Sequence, residues 1–323
     1  MNRSSVLHLL QAEARRLVAR RFVQLMVVLL IGTCLIAVVS TVAGSHPPTD
    51  AELREATAQA ARNYEYARES YDLCRVERPY LNCPEPDPAD FRPEDQLFGT
   101  FVFAHEMSGL LYFVATFLSL FGFLVGASFI GAEMSSGGLT NLLLWRPQRP
   151  VVLGAKLAVV AGAVLALSVV VMAGYVAAFW GVSAISGFAG DTSGAFWPDL
   201  VLVAVRAILL VLGATVVGFS LAALGRHTAA ALGVVAAYVV LWEVGLRIVL
   251  NVVETPEADR WMLSSYLAAF ANGRLVLWNS ACDTPDCVAE YTLTWVDGTL
   301  VGGAVTLLTA VAAFVLTQRR DMA

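Results

Sequence analysis

Long apolar runs alternate with short basic and longer acidic stretches along the 323 residues of this chain. A membrane-crossing helix needs about 20 predominantly apolar residues. Six segments reach that length: 22–44, 109–132, 151–186, 200–224, 228–253 and 298–317. The third is longer than a bilayer requires, so it is expected to tilt or protrude. Ahead of the first run, Val6, Leu9, Leu10, Glu13, Leu17 and Arg20 recur at helical spacing, with Arg15, Arg16, Arg20 and Arg21 crowding the far end. That pattern predicts a basic amphipathic helix within residues 1–21, lying on the membrane surface.

Two connections carry structure of their own. In 45–108, Thr49 and Glu52 make a capping box. Beyond it Leu53, Thr57, Ala60, Tyr64, Ala67, Tyr71 and Cys74 recur at intervals of four and three, which predicts a helix with one face to pack. The counterpart of that face is the rest of the same loop, the later long connection, or the same helix of a second copy. The run Cys83-Pro84-Glu85-Pro86-Asp87-Pro88 suits neither regular helix nor strand. In 254–297, Trp261 to Trp278 is apolar and aromatic but broken at Asn272-Gly273. This predicts an interfacial or membrane-dipping segment laid against the bundle.

The composition, 58% hydrophobic and 15% charged, departs from that of soluble domains and agrees with a polytopic membrane protein. The formal charge of −5 hides a segregation. With the N-terminus inside, the inner segments hold Arg3, Arg15, Arg16, Arg20, Arg21, Arg146, Arg149, Lys156, Arg226, Arg319 and Arg320, while nearly all the acids fall outside. The expected fold is all-α: six transmembrane helices, both termini cytosolic, an amphipathic N-terminal helix and a large first extracytoplasmic loop. The first apolar run spans a full bilayer behind a long basic region, so it reads as a span and not as a cleaved secretory signal.

Cys74, Cys83, Cys282 and Cys287 all fall in the outer connections, where thiols can oxidise. Sequence-local pairing would join 74 with 83 and 282 with 287, although four cysteines allow three connectivities. Zinc is the competing reading, but no histidine flanks them and neither spacing is a C-x₂-C knuckle.

Arg206, Glu243 and Arg247 lie well inside the apolar runs. Counted from the outer ends of their helices, they sit at similar depths of ~10 to ~16 Å. Unpaired charges there are costly, so a mutual cluster is expected, either as a structural ion pair or as a polar contact on a transport path. Other chemistry finds no foothold. No P-loop motif occurs, and the four histidines, His8, His46, His105 and His227, are scattered away from mid-span. No catalytic constellation, metal site or nucleic-acid-binding feature is expected.

The connection 133–150, between the second and third spans, is the most composed stretch of the chain. Ser135 or Ser136 can cap a short helix whose Leu139, Leu142 and Leu143 form an apolar knob bordered by Arg146 and Arg149. Apolar surface rimmed by charge suits a protein partner; burial of these leucines in the bilayer interface is the alternative. Glu133, Ser136, Leu139, Leu142, Leu143, Arg146 and Arg149 are the candidate docking residues. The stretch resembles the membrane subunits of ATP-binding-cassette exporters of the type-2 permease family. Gly131, Glu133, Gly137, Gly138, the 139–144 turn, Pro147, Arg149 and Lys156 carry the likeness. The long, cysteine-bearing first outer loop departs from it, since many members keep that loop short.

The resemblance implies that 133–150 is a coupling helix seated on a cytosolic ATPase, and that the amphipathic helix is a connecting helix. It further implies two ATPase copies, which hold ATP and Mg, and a second permease, the same chain or a close paralogue, in a bacterial cytoplasmic membrane. The expected function is outward movement of an amphiphilic drug, lipid or peptide, with no cofactor on this chain. Two alternatives stand beside it: a non-transporting membrane anchor or immunity protein acting through its outer loop, and an ion-coupled secondary transporter.

Overall fold

The computed structural model describes residues 3–77, 83, 85–138, 148–278 and 290–319, with side chains from residue 10 onward. In chain order the helices are α1 (Arg3–Val18), α2 (Arg21–Gly44), α3 (Asp50–Glu77), α4 (Phe103–Ser135), α5 (Arg149–Ser186) and α6 (Phe196–Gly225). They continue with α7 (Thr228–Tyr238), α8 (Arg247–Val252), α9 (Leu263–Asn272) and α10 (Trp295–Arg319). The stretch Val239–Leu246 between α7 and α8 is π-helical. Six helices are long and apolar enough to cross a membrane: α2, α4, α5, α6, the continuous Thr228–Val252, and α10. This is the architecture of a multi-pass membrane protein. The second of them starts at Phe103, earlier than the apolar run alone suggested, because Phe103 and Met107 are buried and extend the packed face past Ser108.

The fold is helical but not purely so. Phe101–Val102 (β1) pairs in parallel with Gly187–Phe188 (β2). Arg274–Trp278 (β3) and Glu290–Thr294 (β4) form an antiparallel hairpin. In β4 every second residue is buried, Tyr291 and Leu293, which is the period of a strand with one covered face.

By internal contacts the chain divides into two units, and Met1–Ile31, Leu111–Met172 and Val201–Ala323 make up the first. Its packing relies on glycines. A Cβ on Gly126 of α4 would lie 2.6 Å from the Thr215 carbonyl oxygen of α6, and one on Gly218 would strike the Phe123 carbonyl. A Cβ on Gly122 would likewise strike the Thr215 side chain, and one on Gly131 would lie 2.6 Å from Thr228 N. Such close approach maximises dispersion contact where lipid offers no hydrophobic drive between helices. The turn between α6 and α7 is closed by Arg226 at φ 57°, and His227 Nδ1 caps α7 by accepting from Ala229 N at 3.1 Å. Further on, α9 lies on α10, where Gly298 admits the Tyr266 carbonyl and the Phe270 side chain.

Gly32–Leu110 and Ala173–Leu200 form the second unit. The capping box at the head of α3 is made: Glu52 N donates to Thr49 Oγ1 at 3.3 Å, and Thr49 N donates to Glu52 Oε2 at 2.7 Å. The covered face of α3 runs through Leu53, Ala56, Ala60, Tyr64, Ala67, Tyr71 and Cys74, while Thr57 is exposed. Its counterpart includes the rest of the same loop. Tyr64 meets the Phe91 ring edge-on at 5.6 Å, and Asn63 donates to Gln96 at 3.3 Å. Cys74 and Cys83 are disulfide-bonded, with Cα atoms 6.1 Å apart. Cys282 and Cys287 lie outside the described residues. Two groups of aromatic contacts, 4.7–6.1 Å between centroids, lie in the same unit: Phe101 and Tyr175 about Phe179, and Phe103 with Trp180, Phe196 and Trp197.

Candidate functional site

Two groups of charged side chains lie within the first unit. The first brackets the segment 139–147. Lys156, in the second turn of α5, is fully buried, and its Nζ donates to Glu13 Oε2 at 2.7 Å. The same ammonium lies 2.6 Å from Glu133 Oε2, at the end of α4. Glu133 in turn accepts from Arg20 Nη2 at 3.0 Å, and Arg20 Nη1 donates to the Ser128 carbonyl at 3.1 Å. Both cations lie over the Phe129 ring, with Arg20 Cζ 4.7 Å and Lys156 Nζ 5.1 Å from its centroid. Arg16 adds an outer contact to Glu13 at 3.4 Å.

The helical spacing explains the geometry. Glu13 and Leu17 are four residues apart and are 1% and 2% exposed, so α1 turns one acid and one leucine inward and keeps Arg15 and Arg16 outside. The helix breaks at Ala19-Arg20, which lets Arg20 reach α4. Two carboxylates and two cations thus neutralise each other in a buried junction of α1, α4 and α5. The sequence carried a signal for it: Glu13 is the sole acid of the first 49 residues, and Lys156 is the sole lysine of the chain.

Of the candidate docking residues, Glu133 faces inward into this junction. Ser136 is exposed and its hydroxyl donates back to the Glu133 carbonyl at 3.4 Å, as that of Ser135 does to Ala132 at 3.2 Å. Both bonds close the end of α4, and Gly137 follows at φ 71°. Arg149 opens α5. Leu139, Leu142, Leu143 and Arg146 lie outside the described residues.

The second group centres on Glu243 in the π-helical stretch. Its Oε1 accepts from the Tyr238 hydroxyl at 2.7 Å and from Ser264 N at 3.1 Å, and Oε2 accepts from the Ser264 hydroxyl at 2.7 Å. Arg247 pairs with Asp259 at 3.2 Å, and Trp242 Nε1 donates to the Trp261 carbonyl at 2.9 Å. Arg206 lies apart, against the end of α9 at Gly273. Among the described residues no ion pair joins Arg206, Glu243 and Arg247 to one another, unlike the mutual cluster that their depths suggested. The chain after α8 folds back and brings Ser264 to Glu243 and Asp259 to Arg247. No group of three or more potential metal ligands occurs among the described residues.

Compared with known proteins, the chain matches no family model, no curated protein and no solved structure.

Proposed function

We propose that this chain is the permease subunit of an ATP-binding-cassette exporter, moving an amphiphilic drug, lipid or peptide outward on ATP hydrolysed by a separate cytosolic subunit. The observation that carries the reading is the buried Glu13–Lys156–Glu133–Arg20 junction. It ties α1 to both helices that flank 139–147, the stretch that resembles a coupling helix. Breaking a buried ion pair costs about 3–5 kcal/mol, so a push on that stretch passes to α1, α4 and α5 together. Glu133 then positions the docking segment, while the leucines at 139, 142 and 143 and the arginines at 146 and 149 meet the ATPase. In this reading both termini are cytosolic, the membrane is the bacterial cytoplasmic membrane, and two such chains pair with two ATPase copies.

The test is co-purification from native membranes in mild detergent, wild type against Leu142→Arg. A P-loop ATPase retained by the wild type and lost by the variant supports the reading; no ATPase with either protein removes it. One observation favours a second reading. The disulfide joins the end of the long helix α3 to the loop after it, which suits a non-transporting anchor acting through that loop. The anchor reading predicts that 139–147 is dispensable. An ion-coupled transporter would instead work without ATP and depend on Glu243.

A further inference from the structure

Among the described residues Glu243 and Arg247 both have polar partners, and Arg206 does not. It lies ten residues after Phe196, ~15 Å along α6 at helical rise. One turn away on its own helix stand Leu202, Val203, Leu209 and Leu210, all apolar. From α4, the Tyr112 hydroxyl reaches the same end of α9. From the end of α9, Gly273 presents bare backbone: a Cβ there would lie 2.7 Å from Arg206 Nη1 and 3.4 Å from Cζ. At φ 86° that position favours glycine for conformation as well.

The carbonyls at this helix end are already engaged. Ala271 O accepts the Tyr112 hydroxyl at 3.2 Å, and Gly273 O accepts Trp295 N at 2.8 Å. Arg206 accordingly makes no hydrogen bond and no ion pair among the described residues. A guanidinium carries five donors in a planar fork and stays charged. Held half-buried in an apolar helix, it calls for an acceptor that brings negative charge.

We propose that Arg206, held against the Gly273 turn, receives the anionic head group of an amphiphile, a phosphate or carboxylate carried on an apolar tail. The planar fork matches two oxygens of such a group in parallel hydrogen bonds. Leu202, Val205 and Leu209, each 46–51% exposed, line α6 beside it and offer the tail an apolar strip. Exposed Arg274 follows the turn by one residue and adds positive charge. The shelf is rigid because α9 is held by Tyr112, by Trp295 and by the close contact at Gly298. That this amphiphile is the exported molecule rests on the transport reading above; the binding itself does not.

The experiment is a binding isotherm of a fluorescent short-chain phosphatidic acid to the purified chain in dodecyl maltoside micelles. Wild type is expected to bind saturably, and Arg206→Gln at least about tenfold more weakly, the usual worth of a charge-assisted hydrogen bond. Phosphatidylcholine of the same tails and inorganic phosphate are both expected to compete poorly. Undiminished binding by Arg206→Gln overturns the site. Equal competition by phosphatidylcholine overturns the anionic head group, and equal competition by inorganic phosphate overturns the tail in favour of a free anion. If Arg206→Gln does not fold, Arg206→Lys decides: weaker binding supports the forked contact, and wild-type binding overturns it. Loss of ATPase co-purification with phosphatidic acid binding intact would count against the export reading alone.

Discussion

Replacing Lys156 by Met keeps most of the side chain's length and removes its charge at the centre of the α1–α4–α5 junction. Glu13, 1% exposed, then has only Arg16 beside it, and Glu133 keeps only Arg20. At an effective dielectric constant of about 20, two unit charges 2.7 Å apart attract by ~6 kcal/mol. Desolvation of each ion offsets several kcal/mol of this. What remains on breaking a buried pair is about 3–5 kcal/mol, because the abandoned carboxylate stays in an apolar site. Chemical unfolding in mixed micelles, followed by tryptophan fluorescence, is expected to show a loss of that size for Lys156→Met. The double variant Glu13→Gln with Lys156→Met leaves Glu133 and Arg20 as a neutral pair, so it is expected to recover about half of the loss or more. A Lys156→Met protein within about 0.5 kcal/mol of wild type, the range of an ordinary surface substitution, would refute the account of the junction as a coupled buried group.

Two further outcomes concern the second unit. The bond between Cys74 and Cys83 closes a loop with a sequence separation of 9, worth about 2.5 kcal/mol by the chain-entropy relation. Cys74→Ser, or reduction of the wild type, is expected to speed tryptic cleavage after exposed Arg75; equal rates would show that the bond does not brace the end of α3. At the other end, Glu52 accepts from Thr49 N and from His46, which holds its carboxyl down at about 2 and raises the His46 imidazole. The carboxylate's contribution is present above its ordinary 4.5 and fades as pH falls towards 2. The imidazole's is complete below 6.5 and is lost as pH rises through its elevated value. Amide protection in the first turn of α3 is thus expected to be greatest between about pH 4.5 and 6.5, and a flat profile from 5 to 8 would remove His46 from the cap.

Features built from neighbours in sequence are legible in the chain itself. The six spans are runs of apolar composition, the Thr49–Glu52 cap is a four-residue pattern, and the covered stripe of α3 is a period. Pairing of Cys74 with Cys83 is the sequence-local option among three connectivities that the sequence leaves open. The hairpin at β3 and β4 was hidden because Trp261–Trp278 reads as one apolar stretch, and alternation became decisive only once Tyr291 and Leu293 had a surface to cover. The π-helical register at Val239–Leu246 leaves no mark in an apolar run. Lys156 and Glu13 are 143 positions apart, so only tertiary packing joins them. For Arg206, Glu243 and Arg247, depth along each helix was readable but orientation about its axis was not, and orientation decided that Ser264 and Asp259 serve two of them while Arg206 faces Gly273.

Burial of the sole lysine has a practical consequence. Amine-directed reagents and lysine-specific proteases find no side-chain target while the junction is closed. Acylation at Lys156, or cleavage after it, therefore clocks each opening of α1 away from α4 and α5. Mass spectrometry can count such events in unlabelled protein within native membranes, with and without nucleotide, at a single address per chain.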